Sequence, residues 1–130
     1  MIKELPKYSN GNVYFVLNKI SDACYSREQT ECFYEKAKNT TSDNDIELRE
    51  WLLIDVDPKR PAGVSSTDEE KGNAKSVINN VFSFLRDLGF SEPIICDSGN
   101  GFHLLYKISI ENNDQNKMLL QVILQVLDLL

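Results

Sequence analysis

The sequence predicts an α+β domain with a two-layer α/β arrangement, in which helices pack on a mixed, largely antiparallel sheet. Runs rich in β-branched and aromatic residues alternate along the chain with helical patterns, in the order β-α-β-α-β-β-α. An alternation of this kind places a layer of helices against a sheet. The length of 130 residues fits a single domain, which we take as residues 1–130.

The first half of the chain contains two predicted strands and one predicted helix. Residues 12–17 (NVYFVL) follow a glycine and are β-branched or aromatic, which favours a strand, and residues from about 27 to 38 fit a helix. Residues 39–45 are polar and predict a loop. The apolar run 51–57 (WLLIDVD) is followed at once by Pro58. It therefore predicts a buried strand whose end carries two carboxylates.

Two helices are predicted in the second half. Thr67 and Glu70 fit a capping box, and apolar residues then recur at helical spacing as far as Gly89, where a helix commonly ends. Residues 117–130 (KMLLQVILQVLDLL) form a second helical pattern that is apolar over more than half of its circumference. Such a helix requires cover on most sides.

A hairpin is predicted between these two helices. Residues 93–96 (PIIC) favour a short strand, and the glycine-rich residues 97–101 (DSGNG) favour a turn. Residues 102–110 alternate between two faces, so that Phe102 and His103 point to opposite sides of the sheet.

Composition excludes several classes of protein. The 14 Lys and Arg residues against 20 Asp and Glu give a net charge of -6, which argues against a basic module held to nucleic acid by charge alone. The three cysteines, Cys24, Cys32 and Cys96, show no CxxC spacing, so we expect a reducing cytoplasm rather than a disulfide framework or a zinc cluster. A single histidine excludes sites that need two imidazoles. No apolar run reaches about 18 residues, so no transmembrane helix is expected, and we expect no membrane among the partners.

The first candidate site is the acidic pair Asp55 and Asp57 at the end of a predicted strand. Residues two apart share one face of a strand, so both carboxylates project to the same side and repel each other. A hard divalent cation such as Mg²⁺ or Mn²⁺ relieves that repulsion and keeps positions for water and phosphate. Arg60 follows directly and is a candidate phosphate contact. The alternative is an ordinary strand-end turn in which Asp57 pairs with Lys59 or Arg60.

The second candidate site is the segment 98–103 (SGNGFH). Two glycines let the backbone turn tightly and bring N–H groups close to an anion, while Ser98 adds a hydroxyl donor. His103 can donate to a phosphate oxygen. The alternative is a glycine-rich hairpin with a half-exposed strand histidine. Metal ligands followed by a phosphate cradle together favour a nucleoside triphosphate site.

The two motifs in this order resemble the catalytic core of the archaeo-eukaryotic primase superfamily, in particular the primase-polymerases of bacterial phages, plasmids and integrated mobile elements. The resemblance lies in residues 13–18 (VYFVLN), 51–63 (WLLIDVDPKRPAG), 65–71 (SSTDEEK) and 96–108 (CDSGNGFHLLYKI). It implies an RRM-like primase core. By motif position it implies catalytic or metal-binding roles for Asp55, Asp57 and His103, and nucleotide-binding roles for Ser98, Gly99, Gly101, His103 and Arg60.

The resemblance also implies an activity and its partners. The expected reaction is template-directed nucleotidyl transfer, in which a 3′-hydroxyl attacks the α-phosphorus and pyrophosphate leaves, with Mg²⁺ or Mn²⁺ as cofactor. Implied partners are nucleoside triphosphates, a DNA template and primer, and a helicase domain or protein of the same replication module. The family carries a third acidic ligand on a strand after the last helix predicted here. We therefore expect the N-terminal portion of a catalytic domain, inactive by itself.

Two other interpretations stay open. The chain could be a catalytically dead module that binds nucleic acid or a replication partner, which the net charge of -6 and the missing third acid favour. It could also be another DxD enzyme. A phosphatase of the haloacid-dehalogenase type expects Thr or Val where Lys59 stands, and a glycosyltransferase gives no role to residues 98–103.

Overall fold

A computed structural model describes residues 13–27, 33, 38–61 and 63–130. In chain order the elements are β1 (Lys19–Ile20), β2 (Ile46–Val56), α1 (Asp68–Asp87), β3 (Ile94–Asp97), β4 (Phe102–Glu111) and α2 (Asp114–Leu127), with short 3₁₀ turns at Asp22–Ser26 and Asp43–Asp45. The strands form one sheet in the order β1-β2-β4-β3, and every pairing is antiparallel. The predicted α+β class is confirmed. The predicted helix at about 27–38 lies largely outside the described residues.

The N-terminal strand prediction was wrong. Residues 13–17 have no regular secondary structure, and the first strand is only Lys19–Ile20. Tyr14 and Phe15 are 86% and 83% exposed. A high β-propensity reflects packing against neighbouring strands, and no described strand pairs with this segment. Among the described residues, no helix is long and apolar enough to cross a membrane.

Strand β2 begins five residues earlier than predicted, at Ile46 rather than Trp51. Its first half is polar and pairs with β1 on one side and with the far end of β4 on the other, as Lys19 with Leu48 and Leu48 with Glu111. Because these partners are distant in sequence, the local pattern alone did not indicate this part of the strand.

Asn18 closes an irregularity in the central strand pair. The register between β2 and β4 shifts between Arg49 and Trp51. The Asn18 side-chain oxygen accepts the N–H groups of both Glu50 and Trp51 at 2.9 Å. Backbone donors left unpaired at such a bulge are costly, so this asparagine has a structural role.

Ion pairs and hydrogen bonds fix the start of β2. The buried Asp45 carboxylate accepts from the Arg27 guanidinium and from the backbone and hydroxyl of Ser42, and these contacts hold the pKa of Asp45 far below its ordinary value. A hydrogen bond from Lys117 at 2.9 Å likewise lowers the pKa of Asp43. These pairs tie residues 21–27 and the start of α2 to one end of the sheet.

The capping prediction for α1 is confirmed. The Thr67 hydroxyl oxygen accepts the Glu70 N–H at 3.2 Å, and the Glu70 carboxylate accepts the Thr67 N–H at 2.8 Å. These bonds from Thr67 hold the pKa of Glu70 below its ordinary value. The helix ends at Asp87, and Gly89 adopts a φ of 89°, in the left-handed region that a glycine at a helix end provides.

One face of the sheet packs against the helices and forms the core. The buried cluster consists of Leu52, Ile54, Ile78, Val81, Leu85, Leu104, Tyr106 and Leu127. Leu52 lies opposite Tyr106, and each fully buried side chain of this size contributes roughly 1.5–3 kcal/mol. Along each strand, the residues that alternate with the core residues, such as Asp55 next to Ile54 and His103 next to Leu104, lie on the opposite face. The predicted alternation of β4 is confirmed.

Tyr106 offers a direct test of this core. Its ring is 1% exposed and meets Phe90 edge-on at 5.6 Å, while its hydroxyl has no hydrogen-bond partner among the described residues. Burial raises the pKa of Tyr106. Removing an unpaired buried hydroxyl is favourable, so we expect Tyr106→Phe to raise the free energy of unfolding by about 1 kcal/mol in urea denaturation. Tyr25→Phe, at an exposed tyrosine, is the control; a clear loss of stability in Tyr106→Phe would contradict the prediction.

Candidate functional site

The register of β2 and β4 brings the two sequence motifs side by side. Asp55 lies opposite His103, and Val56 lies opposite Phe102, the first residue of β4. His103 Nε2 is 3.0 Å from Asp55 Oδ1, with the two side chains 31% and 53% exposed. The end of β2, which carries Asp55, therefore lies beside the glycine-rich turn and the histidine that follows this turn in β4.

Asp57 lies one residue beyond β2, where the alternation of the strand no longer positions it. Its carboxylate lies against the main chain of the buried Gly101. The approach is so close that a β-carbon at Gly101 would collide with the Val56 carbonyl oxygen and with Asp57 Oδ1. Only glycine permits so close an approach. The other carboxylate oxygen, Asp57 Oδ2, is 3.3 Å from an Arg60 guanidinium nitrogen.

Within the turn at 97–101, most of the backbone N–H groups donate hydrogen bonds to atoms of the turn itself. Ser98 N–H donates to the Gly101 carbonyl at 3.1 Å, and Gly101 N–H donates to the Ser98 hydroxyl oxygen at 2.9 Å. Gly99, with a φ of 92°, donates its N–H to Asp97 Oδ1 at 2.8 Å. The sequence suggested these amides as an anion cradle, but in this structure they are bonded within the turn. Among the residues that the structure describes, no acceptor is found for the hydroxyl proton of Ser98, whose oxygen accepts the Gly101 N–H.

Two cationic side chains lie beside these motifs. Arg60 is 18% exposed, and its Nε is buried without a partner among the described residues. Lys71 lies in the first turns of α1, 2.9 Å from Asp97 Oδ2 and over the Phe102 ring at 5.6 Å. Its partner follows from the packing of α1 on the hairpin, for which the sequence carries no local signal.

The residue types at this site fit a hard divalent cation. Asp55 and Asp57 supply carboxylate oxygens and are about half exposed, at 53% and 45% of their side-chain surface. Within the described ranges no group of three or more His, Cys, Asp or Glu side chains is close enough to hold a metal ion. Mg²⁺ is commonly bound by one or two carboxylates together with water and substrate phosphates, so two carboxylates are compatible with it.

Two surface depressions flank β2. One of about 250 Å³ lies between the end of β2 and α1, and is lined by Val56, Asp57, Pro58, Lys59, Glu70, Asn73, Ala74 and Val77. It therefore adjoins the candidate site. A larger, open one of about 570 Å³ lies at the start of β2, around Arg27 and Asp45. That depression has none of the predicted site residues in its lining.

No protein-family model matches this chain, and neither a curated protein nor a solved structure matches it. The resemblance to the primase superfamily therefore stays a prediction from the motifs.

Proposed function

We propose that this domain binds a nucleoside triphosphate together with Mg²⁺ or Mn²⁺ and forms the core of a DNA primase-polymerase type nucleotidyltransferase. One observation carries the proposal: at the end of β2, His103 Nε2 lies 3.0 Å from Asp55 Oδ1, and Asp57 lies against Gly101, two residues before His103. These are the residues to which the resemblance assigns metal and triphosphate.

The order of the elements also supports the proposal. From β2 to α2 the chain runs β-α-β-β-α, with the first and third of these strands paired at the centre of the sheet. The same order opens the β-α-β-β-α-β unit of ferredoxin-like folds. We therefore infer that residues 46–127 are the corresponding part of an RRM-like core.

Each site residue has a role in this proposal. A cation held by Asp55 and Asp57 would withdraw charge from the phosphate oxygens. If a cation drew the Asp55 carboxylate away from His103, whose Nε2 is 3.0 Å from Asp55 Oδ1, the ring nitrogen of His103 would be available to a phosphate oxygen. Ser98 offers its hydroxyl proton, and Arg60 offsets negative charge beside Asp57. A DNA template and primer, and a helicase of the same replication module, are the proposed partners in a cytoplasmic setting.

His103 gives a test of nucleotide binding. We expect His103→Ala to weaken binding of adenosine triphosphate by about tenfold in the presence of Mn²⁺, because a charge-assisted hydrogen bond to a distal phosphate is lost. Adenosine monophosphate lacks the distal phosphates and should bind as before. Calorimetric titration measures both ligands, and His103→Gln, which keeps an N–H donor, is the control. Equal losses for the two nucleotides would remove this role.

A non-catalytic binding module is the second candidate. Both carboxylates already have partners within the chain, Asp55 with His103 and Asp57 with Arg60, as they would at a site that holds no metal. Primer extension and de novo synthesis by the native full-length protein, with the Asp55→Ala, Asp57→Ala variant beside it, decide between the two. Synthesis that needs both aspartates favours the enzyme, and no synthesis favours the module.

A further inference from the structure

Ser66, in the segment just before α1, forms two hydrogen bonds with the middle of the glycine-rich turn. Its N–H donates to the Asn100 side-chain oxygen at 3.1 Å, and its hydroxyl donates to the Asn100 carbonyl at 2.9 Å. Both bonds are partly buried and join residues 34 positions apart. Asn100 stands between the two glycines, so these bonds fix the turn where its backbone is most free to move.

Lys71 forms an ion pair with Asp97, the first residue of the same turn. Its ammonium group lies 2.9 Å from Asp97 Oδ2, while Asp97 Oδ1 accepts the Gly99 N–H at 2.8 Å. The ion pair with Lys71 and the bond from Gly99 lower the pKa of Asp97. The Lys71 side chain is 30% exposed and runs over the Phe102 ring, so the ring contact and the ion pair both restrain it.

The far end of the turn is the place where Gly101 lies against Asp57. We propose that Ser66 and Lys71 are positioning residues: they hold the turn so that Gly101 stays against Asp57 and His103 stays beside Asp55. This inference rests on the proposed function, because the groups they position are those assigned to metal and triphosphate. A geometric error of about 1 Å in such a site is costly, which explains why two anchors are needed.

The first experiment measures order in the turn without any ligand. Lys71→Met removes the ion-pair anchor, Asn100→Ala removes the side-chain acceptor of the Ser66 N–H, and Lys75→Met removes a charge from an exposed position of the same helix. We expect the backbone NMR order parameters of Gly99 and Gly101 to fall from about 0.85 to below about 0.6 in the first two variants. They should be unchanged in Lys75→Met and restored in Lys71→Arg. Unchanged order in Lys71→Met and Asn100→Ala would overturn the proposal.

The second experiment measures affinity for inorganic triphosphate with Mn²⁺ by calorimetry. We expect about tenfold weaker binding in Lys71→Met and Asn100→Ala, with rescue by Lys71→Arg and an unchanged midpoint of thermal unfolding. A wild-type protein that binds no triphosphate would refute the proposed function. A wild-type protein that binds, with variants that bind equally well, would refute only the positioning role.

Discussion

The double variant Asp55→Ala, Asp57→Ala is expected to lose Mn²⁺-dependent nucleotide binding by more than about a hundredfold, since outer-shell partners of metal ligands alone are worth 10–100-fold. In the proposed site these two carboxylates are the anionic donors that the described residues offer to the cation. Both lie at the end of β2 with about half of their side-chain surface exposed, so their removal leaves the buried core intact.

Calorimetric titration of Mn²⁺ with adenosine triphosphate measures this effect. The matched control is Asp87→Ala with Asp128→Ala, which removes the same charge from exposed positions outside the site. It separates loss of ligands from a general change in net charge. A titration of the Asp55, Asp57 variant that equals the wild type would show that the strand-end pair holds no metal.

Gly101→Ala is expected to move the glycine-rich turn, and His103 after it, away from Asp55 and Asp57 at the end of β2. A β-carbon at residue 101 would overlap the Val56 carbonyl oxygen and the Asp57 carboxylate, and would lie 3.1 Å from Asp57 Cα. Two of these three neighbours are backbone atoms, which yield only if the turn moves away from β2. Overpacking of this kind costs about 1–3 kcal/mol, and the same displacement should abolish Mn²⁺-dependent triphosphate binding.

Gly72→Ala is the control for Gly101→Ala. Gly72 lies within α1, and a β-carbon there would meet no atom within 4 Å apart from its chain neighbours and the backbone of its own helix. Replacing a glycine inside a helix by alanine is worth about 0.5–1 kcal/mol, so this variant should gain stability in urea denaturation. If Gly101→Ala unfolds at the wild-type urea concentration and binds normally, the close approach of Asp57 to the turn is not required.

The elements that the sequence predicted correctly are those with local signals. The capping box at Thr67 and the helical spacing after it indicated α1, and the period of two indicated which face of β4 His103 occupies. The position of β1 and the polar start of β2 depend on pairing between distant strands. Residues 13–17 had the composition of a strand but no partner strand among the described residues, so their propensity was misleading.

The same distinction between local signals and contacts between distant residues applies to the candidate site. The motifs indicated that Asp55, Asp57 and His103 belong together, and the strand register brings Asp55 and His103 to hydrogen-bonding distance. The bonds within the turn were not foreseen, because they depend on its three-dimensional conformation. The same holds for Ser66 and Lys71, whose partners are on the hairpin and become neighbours only when α1 packs on the sheet.

Paramagnetic broadening of backbone amide NMR signals by Mn²⁺, with inorganic triphosphate present, tests most directly whether Asp55, Asp57 and His103 form one metal–nucleotide site. We predict that the signals of residues 55–57 and 101–103 broaden first and most strongly as Mn²⁺ is added. Broadening centred on another acidic segment, such as Asp43–Asp45 or the start of α1, or no selective broadening at all, would contradict the assignment of this site.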